Sequence, residues 1–256
     1  MMIIYFSATG NNKYIATRIS KQTNDSIQSM IQLVKDDDYI INLEEDETLG
    51  IITPTYFWGL PSYVEEYLSN ITINANGNNY IYHISSYGTS TGYSSGYVRE
   101  YLQDINIKLN ASYSVKMADT WTPSFDLSSQ EKIDKFNQTT EDEIDAIIEH
   151  IQSHDDGDYS KNKKNKILSN IAQIFYDRQR KTSHLHVLDT CTGCGLCEKN
   201  CPISAIKLND EKIEWIYERC VMCLRCLHLC PQFSIQYDNR TNSHGQYRNP
   251  HIKDID

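Results

Sequence analysis

The eight cysteines of this 256-residue chain lie in two copies of the pattern C-x2-C-x2-C-x3-C-P, at Cys191–Pro202 and Cys220–Pro231. Thiolates two residues apart can surround a small inorganic core, because each short turn of the chain presents one sulfur. The proline after each fourth cysteine turns the chain away from the site. The spacing therefore predicts iron–sulfur chemistry.

Two other uses of these cysteines stay open from the spacing alone. C-x2-C pairs also bind zinc, although structural zinc usually takes two separated pairs rather than four thiolates within 11 residues. Disulfides need an oxidising compartment. The short apolar start, Met1–Phe6, lacks the basic lead of a secretory signal. We therefore favour iron–sulfur clusters over both.

The duplicated pattern resembles that of bacterial-type two-cluster ferredoxins over residues 187–238. In those proteins the fourth cysteine of each copy ligates the cluster of the other copy. The resemblance implies two [4Fe–4S] clusters with crossed ligand sets. One set is Cys191, Cys194, Cys197 and Cys230, and the other is Cys201, Cys220, Cys223 and Cys226.

The chain is too long for a ferredoxin alone, which leaves about 150 residues for another domain. In that part, short buried runs typical of strands alternate with helical patterns. The clearest runs are Ile3–Phe6, Leu49–Thr53, Tyr80–Ser85 and Ala111–Met117. The alternation predicts an α/β fold with a doubly wound parallel sheet, and ligands bind such sheets outside the carboxyl ends of the strands.

The first of these strand ends carries the polar loop Ser7-Ala8-Thr9-Gly10-Asn11-Asn12, and a helix follows at once. Hydroxyls, backbone N–H groups and a helix N-terminus converge there, which favours an anion such as phosphate. The loop matches neither G-x-G-x-x-G nor a Walker sequence. It resembles the phosphate loop of flavodoxins, S/T-x-T-G-N-T, and departs from it at Asn12. A plain polar turn is the alternative.

The next strand end carries Pro54-Thr55-Tyr56-Phe57-Trp58-Gly59, with three aromatic residues in a loop. Exposed aromatic faces are costly unless something covers them, and the isoalloxazine ring of a flavin is a suitable cover. We expect Tyr56 and Trp58 to contact the flavin; packing of Phe57 and Trp58 into the core is the alternative. A third loop follows at Ser86-Tyr87-Gly88 and continues to Gly92.

The order of phosphate loop, aromatic loop and Gly/Ser loop resembles that of flavodoxins. With the cysteine motifs, most of the chain is similar to flavodoxin–ferredoxin fusion proteins: a flavodoxin-like domain followed by a small α+β two-cluster ferredoxin domain. That resemblance implies FMN as a cofactor. The FMN-binding residues are then those of the three loops: Ser7, Ala8, Thr9, Gly10, Asn11, Asn12, Pro54, Thr55, Tyr56, Phe57, Trp58, Gly59, Ser86, Tyr87, Gly88 and Gly92.

We expect four parts: a flavodoxin-like FMN-binding domain (1–153), a linker with a connecting helix (154–186), the ferredoxin-like domain (187–238) and a C-terminal tail (239–256). The apolar residues Ile167, Leu168, Ile171, Ile174 and Phe175 fall at helical spacing, and we expect this stripe to dock one domain on the other. The tail has no periodicity, so we expect it to be loosely held.

The formal net charge is −10, and residues 1–153 carry −12 of it against +2 for the rest. This balance argues against nucleic acid and anionic membranes as partners. No apolar run approaches the roughly 20 residues that span a bilayer. We therefore expect a cytoplasmic protein of a reducing or anaerobic cell, whose partners are redox proteins and whose oligomeric state is open.

These features together predict an electron-transfer protein that links two [4Fe–4S] clusters to FMN. One alternative is an FMN-dependent reductase of a small oxidant such as a quinone. Another is a ferredoxin with a non-functional flavodoxin-like domain. No Ser/His/Asp triad, nucleophilic cysteine or paired carboxylates in a recognisable cleft appear, so no catalytic residue is predicted and hydrolysis is not expected. A nicotinamide-binding fingerprint is also absent from the sequence.

Overall fold

The computed structural model describes residues 2–210 and 212–255. Its strands are β1 (Met2–Tyr5), β2 (Ser26–Ser29), β3 (Ile40–Asn42), β4 (Thr48–Pro54), β5 (Thr72–Asn74), β6 (Tyr80–Tyr87), β7 (Ala111–Lys116), β8 (Gly157–Asp158), β9 (Leu185–Val187), β10 (Ile206–Asn209), β11 (Lys212–Trp215) and β12 (Ile235–Tyr237). Its α-helices are α1 (Asn11–Thr23), α2 (Met30–Lys35), α3 (Ser62–Asn70), α4 (Ser94–Asp104), α5 (Gln130–Phe136), α6 (Thr140–Gln152), α7 (Lys166–Gln179), α8 (Leu196–Lys199) and α9 (Arg225–Leu229). None of the helices in these ranges is long and apolar enough to traverse a bilayer.

Six strands form one parallel sheet in the order β2-β1-β4-β6-β7-β8. In its centre, Ile4 of β1 lies opposite Ile51 of β4, which in turn lies opposite His83 of β6. All eight residues of β6 are buried. Burial on both faces explains why the central strands read as continuous apolar runs rather than alternating ones.

Helices cover both faces of this sheet, as the strand–helix alternation predicted. Consecutive residues of β1 point to opposite faces. Ile4 packs with Val64 of α3 in one core, and Ile3 packs with Ile15 of α1 and Ile144 of α6 in the other. The predicted doubly wound α/β fold is confirmed.

The segment between residues 21 and 47 holds two short strands. Ser26–Ser29 forms β2 at the sheet edge, whereas Ile40–Asn42 forms β3 and pairs with β5 in a separate two-stranded ladder. The β3–β5 pairing joins residues more than 30 positions apart, so no local pattern in the sequence encodes it.

The cysteine-rich region is small and contains antiparallel pairs, β9 with β12 and β10 with β11, next to α8 and α9. The predicted small α+β unit after the parallel sheet is therefore confirmed. Its core includes Leu227, Ile235 and Tyr237, and Tyr56 and Phe57 of the first domain pack against it.

Helix α7 lies with the opposite face inward from the one we expected. Ser169 and Tyr176 are buried, and the Tyr176 hydroxyl donates a 2.6 Å hydrogen bond to the carbonyl of Val221. The apolar stripe faces solvent, with exposures from 44% to 72%. Its members are Ile167, Leu168, Ile171, Ile174 and Phe175. The expectation that this stripe docks the domains is wrong, because polar and aromatic contacts of the other face do so.

The C-terminal segment is also not loosely held. Thr241, Tyr247 and Asn249 are buried, and the Asn249 amide donates a 2.8 Å hydrogen bond to the carbonyl of Thr9. The Gln246 side chain reaches the carbonyls of Leu227 and Cys230 in the cysteine-rich region. The segment thus bridges the two domains through hydrogen bonds that need no apolar periodicity, which is why sequence pattern did not reveal it.

Candidate functional site

The three predicted loops meet in one cavity of about 170 Å³ at the carboxyl ends of β1, β4 and β6. The predicted residues that line it are Ser7, Ala8, Thr9, Asn11, Asn12, Pro54, Thr55, Tyr56, Phe57, Trp58, Ser86, Tyr87 and Gly88. The carboxyl ends of parallel strands lie at one edge of a sheet, so loops far apart in sequence converge there.

Three predicted residues support the cavity without lining it: Gly10, Gly59 and Gly92. Gly10 begins α1 at φ +98°, and its amide donates a 3.1 Å hydrogen bond to the Ser7 hydroxyl. At Gly92, also at positive φ, a Cβ would lie 2.0 Å from the carbonyl oxygen of Trp58. Only a residue without a side chain lets these backbones approach.

The first loop presents the Ser7 and Thr9 hydroxyls next to the N-terminus of α1, whose first turn has no acidic residue. Exposed N–H groups and the helix dipole favour an anion at this place. Asn12 instead donates to the carbonyl of Phe6 at 2.7 Å. Asn11 accepts from Tyr247 and Asn249. The hydrogen bonds of the Asn11 and Asn12 side chains therefore hold the loop in its conformation.

The aromatic loop is a tight turn with two residues in the left-handed conformation, Phe57 at φ 46° and Trp58 at φ 63°. Tyr56 and Gly59 close it through a reciprocal pair of 2.9 Å backbone hydrogen bonds. Left-handed φ costs a non-glycine residue about 1–2 kcal/mol. The turn is held from outside, because Gln173 of α7 donates to the carbonyls of Tyr56 and Phe57 at 2.7 and 3.0 Å.

The Phe57 ring points toward the cysteine-rich region. It stacks on Tyr176 at 5.7 Å between centroids and meets Trp121 edge-on at 5.4 Å. Trp58 is half-buried, and the ammonium of Lys164 lies 5.6 Å from its ring centroid. The loop thus contributes both to the cavity wall and to the contact between domains.

Sequence reasoning missed a fourth loop, which follows β7 and lines the same cavity. This loop contributes Met117, Ala118, Asp119, Thr120, Trp121 and Phe125. The sequence predicted β7 as a strand of the parallel sheet, so a ligand-binding loop could have been predicted at its carboxyl end as well. Thr89 and Ser90 of the third loop were also missed.

Asp119 brings a carboxylate into that cavity wall. Burial raises the pKa of Asp119 to about 6, and the backbone N–H of Trp121, 3.1 Å from its carboxylate, partly opposes this. A carboxyl with such a pKa exchanges protons near neutral pH.

The eight cysteines surround two further cavities. One is lined by Cys191, Cys194, Cys197 and Cys230, together with Leu196, Ile213 and Ile235. The other is lined by Cys201, Cys220, Cys223 and Cys226, together with Ile203, Ile206 and Val221. Each cavity thus contains the fourth cysteine of the other motif copy, in the crossed arrangement that the ferredoxin resemblance implied.

Backbone amides point at several of the sulfurs. Ala205, Met222 and Ser234 donate to the Sγ atoms of Cys201, Cys220 and Cys230 at 3.2, 3.2 and 3.3 Å. Such N–H···S bonds stabilise thiolates and tune the potential of a cluster. Within residues 2–210 and 212–255, no three His, Cys, Asp or Glu side chains converge closely enough to hold a single metal ion.

Burial raises the pKa of Cys220 to about 11 and that of Cys223 to about 12. These thiols are therefore protonated at neutral pH unless a bound cation takes the place of the proton. Cys194 differs from them, because it is exposed to solvent. The first set therefore reaches the surface at Cys194, whereas all four cysteines of the second set are partly buried.

His228, between two cysteines of the second motif, is not placed as a ligand. Its Nε2 lies 2.9 Å from the carbonyl of Thr120, and its Nδ1 accepts the Tyr247 amide at 3.1 Å. Burial lowers the pKa of His228 to about 4, so the ring is neutral at pH 7. Its contacts hold α9, the fourth loop and the C-terminal segment together.

The cavity of the loops and the second cysteine cavity share a wall. Met222, Cys223 and Leu224 line both. Next to them, the buried guanidinium of Arg225 donates from Nη1 to the carbonyl of Ser7 at 3.1 Å. The cysteine-rich region therefore directly abuts the first loop. This contact had no sequence signal, because it depends on how the two domains pack.

Comparison with known proteins gives two family matches. Residues 2–146 match the flavodoxin domain family, and residues 184–231 match the 4Fe-4S dicluster domain family.

Two curated relatives match the cysteine-rich region only. A subunit of the ion-translocating oxidoreductase complex of Methanosarcina acetivorans is 41% identical over 46 residues, which are 18% of this chain and 17% of that protein. A probable ferredoxin of Methanosarcina thermophila is 52% identical over 31 residues, 12% of this chain and 53% of that protein. The chain thus spans about a sixth and about half of the length of these relatives.

Among solved structures, Fusobacterium nucleatum flavodoxin bound to flavin mononucleotide is similar over 59% of this chain and 96% of that one. The sequence identity is 15% and the TM-score is 0.38.

Proposed function

Since the chain belongs to the flavodoxin domain family and continues into a 4Fe-4S dicluster domain, we propose that it passes electrons between two [4Fe–4S] clusters and FMN. When bound, FMN exchanges electrons singly or in pairs, whereas each cluster passes one electron at a time. The combination therefore converts between one-electron and two-electron transfer. The protein contributes spacing, exposure and electrostatics.

The observation that carries this proposal is the position of Cys223. This residue lines both the cavity of the flavodoxin loops and the cavity of the second cysteine set. A cluster ligand in the wall of the flavin site would leave little protein between the two cofactors.

The residues around the first cavity fit FMN. The Ser7 and Thr9 hydroxyls and the start of α1 suit a phosphate, as helix N-termini do in general. Aromatic side chains on several sides suit the flat ring of the flavin. These are Tyr56, Trp58, Tyr87, Trp121 and Phe125.

The two cysteine sets fit one [4Fe–4S] cluster each, because four thiols surround each cavity and backbone amides point at their sulfurs. The set of Cys191, Cys194, Cys197 and Cys230 would hold one of the clusters. Because Cys194 is exposed, we propose that redox partner proteins exchange electrons there.

We further propose the division into residues 1–153, 154–186, 187–238 and 239–256, with the last part bound across both domains. The reducing cytoplasm is the compartment that this proposal requires, because free thiols must persist until clusters assemble.

The proposal is tested by purifying the protein anaerobically and quantifying iron, acid-labile sulfide and released flavin per chain. We expect about eight irons, about eight sulfides and one FMN. Eight irons without FMN, even after incubation with it, would reduce the protein to a ferredoxin with a silent flavodoxin-like domain. Zinc without sulfide would overturn the proposal altogether.

A second candidate is an FMN-dependent reductase of a small oxidant such as a quinone. It is favoured by Asp119, a carboxyl with a pKa of about 6 in the wall of the flavin cavity, because a two-electron reductase needs a proton donor there. Sustained turnover of a soluble quinone by the fully loaded protein would support the reductase. Reduction of FMN by pre-reduced clusters, without such turnover, would support the carrier.

A further inference from the structure

The cavity proposed for FMN has walls from both domains. Met222, Cys223 and Leu224 close it on one side, and all three come from the second cysteine motif. The flavodoxin-like domain supplies the other walls. Without the cysteine-rich region, this side of the cavity would be open to solvent.

The backbone conformation of this short segment depends on the second cysteine set. Met222 and Leu224 flank Cys223, and both adopt the left-handed conformation, at φ 53° and 55°. Each such residue carries backbone strain, because its Cβ crowds the neighbouring carbonyl oxygen. Strained conformations persist only where surrounding contacts hold them. Ligation of a cluster by Cys220, Cys223 and Cys226 would hold the segment at three points.

Arg225 extends this wall toward the first loop. Its side chain is 2% exposed, and it donates to the neutral oxygens of Ser7 and Asn200 at 3.1 and 3.4 Å. The segment that closes the cavity is therefore tied directly to the loop proposed to hold phosphate.

We infer that the Met222–Arg225 segment is part of the flavin site and that FMN binding is coupled to occupation of the second cluster. This inference rests on the proposed function. Loss of the second cluster releases the strained segment and weakens FMN binding, and bound FMN stabilises the cluster in return. Such coupling is reciprocal for binding free energies. Loss of the first cluster has no comparable effect, because none of the described residues that line its cavity also lines the flavin cavity.

The test measures FMN dissociation constants by flavin fluorescence for the anaerobic full-length chain. Cys226→Ser removes a ligand of the second set without touching the flavin cavity, and Cys194→Ser does the same for the first set. We expect Cys226→Ser to weaken FMN binding about 10-fold or more, within the range typical of coupled sites. We expect Cys194→Ser to change it by less than about 2-fold, as for independent sites.

Misfolding of Cys226→Ser is controlled by a second comparison that needs no substitution. Wild-type protein is stripped of iron with a chelator, its far-UV circular dichroism is recorded, and FMN binding is measured before and after the clusters are rebuilt. We expect affinity to fall on stripping and to return with iron and sulfide. Cluster stability is measured in the other direction, as the rate of iron loss with and without FMN, and we expect FMN to slow it.

Equal FMN affinity with and without the second cluster, in protein that binds both, would overturn the inference while leaving the proposed function intact. Failure to bind FMN under any condition would instead remove the proposed function.

Discussion

The Tyr247 hydroxyl donates a 2.8 Å hydrogen bond to the side-chain oxygen of Asn11, 236 positions earlier in the chain. Asn11 lies in the first turn of α1 and belongs to the loop proposed to hold phosphate. The C-terminal segment is therefore bound to the first loop of the proposed flavin site.

We expect Tyr247→Phe to lower the free energy of unfolding by about 1 kcal/mol, the usual worth of a buried hydrogen bond. Asn249 still donates to Asn11, which limits the loss. Thermal or denaturant unfolding under anaerobic conditions measures this. The control is Tyr217→Phe, because Tyr217 is half exposed. Equal losses for the two variants would contradict the bridging role of the C-terminal segment.

Alanine substitutions of Gly92 and Gly77 together test whether the aromatic turn takes part in FMN binding. Both have positive φ, but a Cβ on Gly92 would collide with the Trp58 backbone whereas one on Gly77 would meet nothing within 4 Å. We expect Gly77→Ala to cost about 1 kcal/mol of stability from backbone strain alone and to leave FMN affinity unchanged. Gly92→Ala also strains the backbone at positive φ, and we expect it in addition to displace Trp58 and to weaken FMN binding.

The measurement for this pair is the FMN dissociation constant together with the unfolding midpoint. A Gly92→Ala variant that binds FMN as tightly as Gly77→Ala would show that Trp58 has no part in the flavin site.

Asp119→Asn should change how stability depends on pH. Because burial raises the pKa of Asp119 to about 6 in the folded chain, the folded state binds its proton more tightly than the unfolded state does. Stability is therefore lost as pH rises from about 4 to about 6. We expect Asp119→Asn to remove this loss, so above pH 6 the stability of the variant rises relative to that of the wild type by up to about 3 kcal/mol.

Unfolding midpoints between pH 4.5 and 7.5 check the Asp119 prediction. Asp126→Asn is a control without an expected slope in this range, because hydrogen bonds from Lys132 and Ser128 hold the pKa of the Asp126 carboxyl below its usual value and its contribution changes only below about pH 4. A wild-type profile parallel to that of Asp119→Asn would refute the assignment.

The orientation of α7 is tested by two substitutions on its opposite faces. Ile171 lies on the exposed apolar stripe, and Tyr176 is buried between the domains. We expect Ile171→Ser to change stability by no more than about 0.5 kcal/mol, as is usual for surface sites. Tyr176→Ala should cost about 3–5 kcal/mol, as for a buried aromatic residue. Denaturant titration measures both, and a large loss for Ile171→Ser would mean that the stripe is covered.

The sequence by itself determined the features that depend on neighbouring residues. The spacing of the cysteines predicted iron–sulfur chemistry, and the ferredoxin resemblance implied the two cysteine sets, which line two separate cavities. Strand–helix alternation predicted the parallel sheet, and with it the edge at which three loops meet. Most predicted loop residues line the cavity for this reason.

Only the tertiary structure decided the contacts between distant segments. It placed Met222 to Leu224 in the wall of the cavity proposed for FMN, turned the polar face of α7 inward and bound the C-terminal segment across both domains. The apolar stripe of α7 indicated a helix but misled about its buried side, because Gln173 and Tyr176 find hydrogen-bond partners on the domain surface. Such partners lie far away in sequence, so no local pattern of apolar residues encodes them.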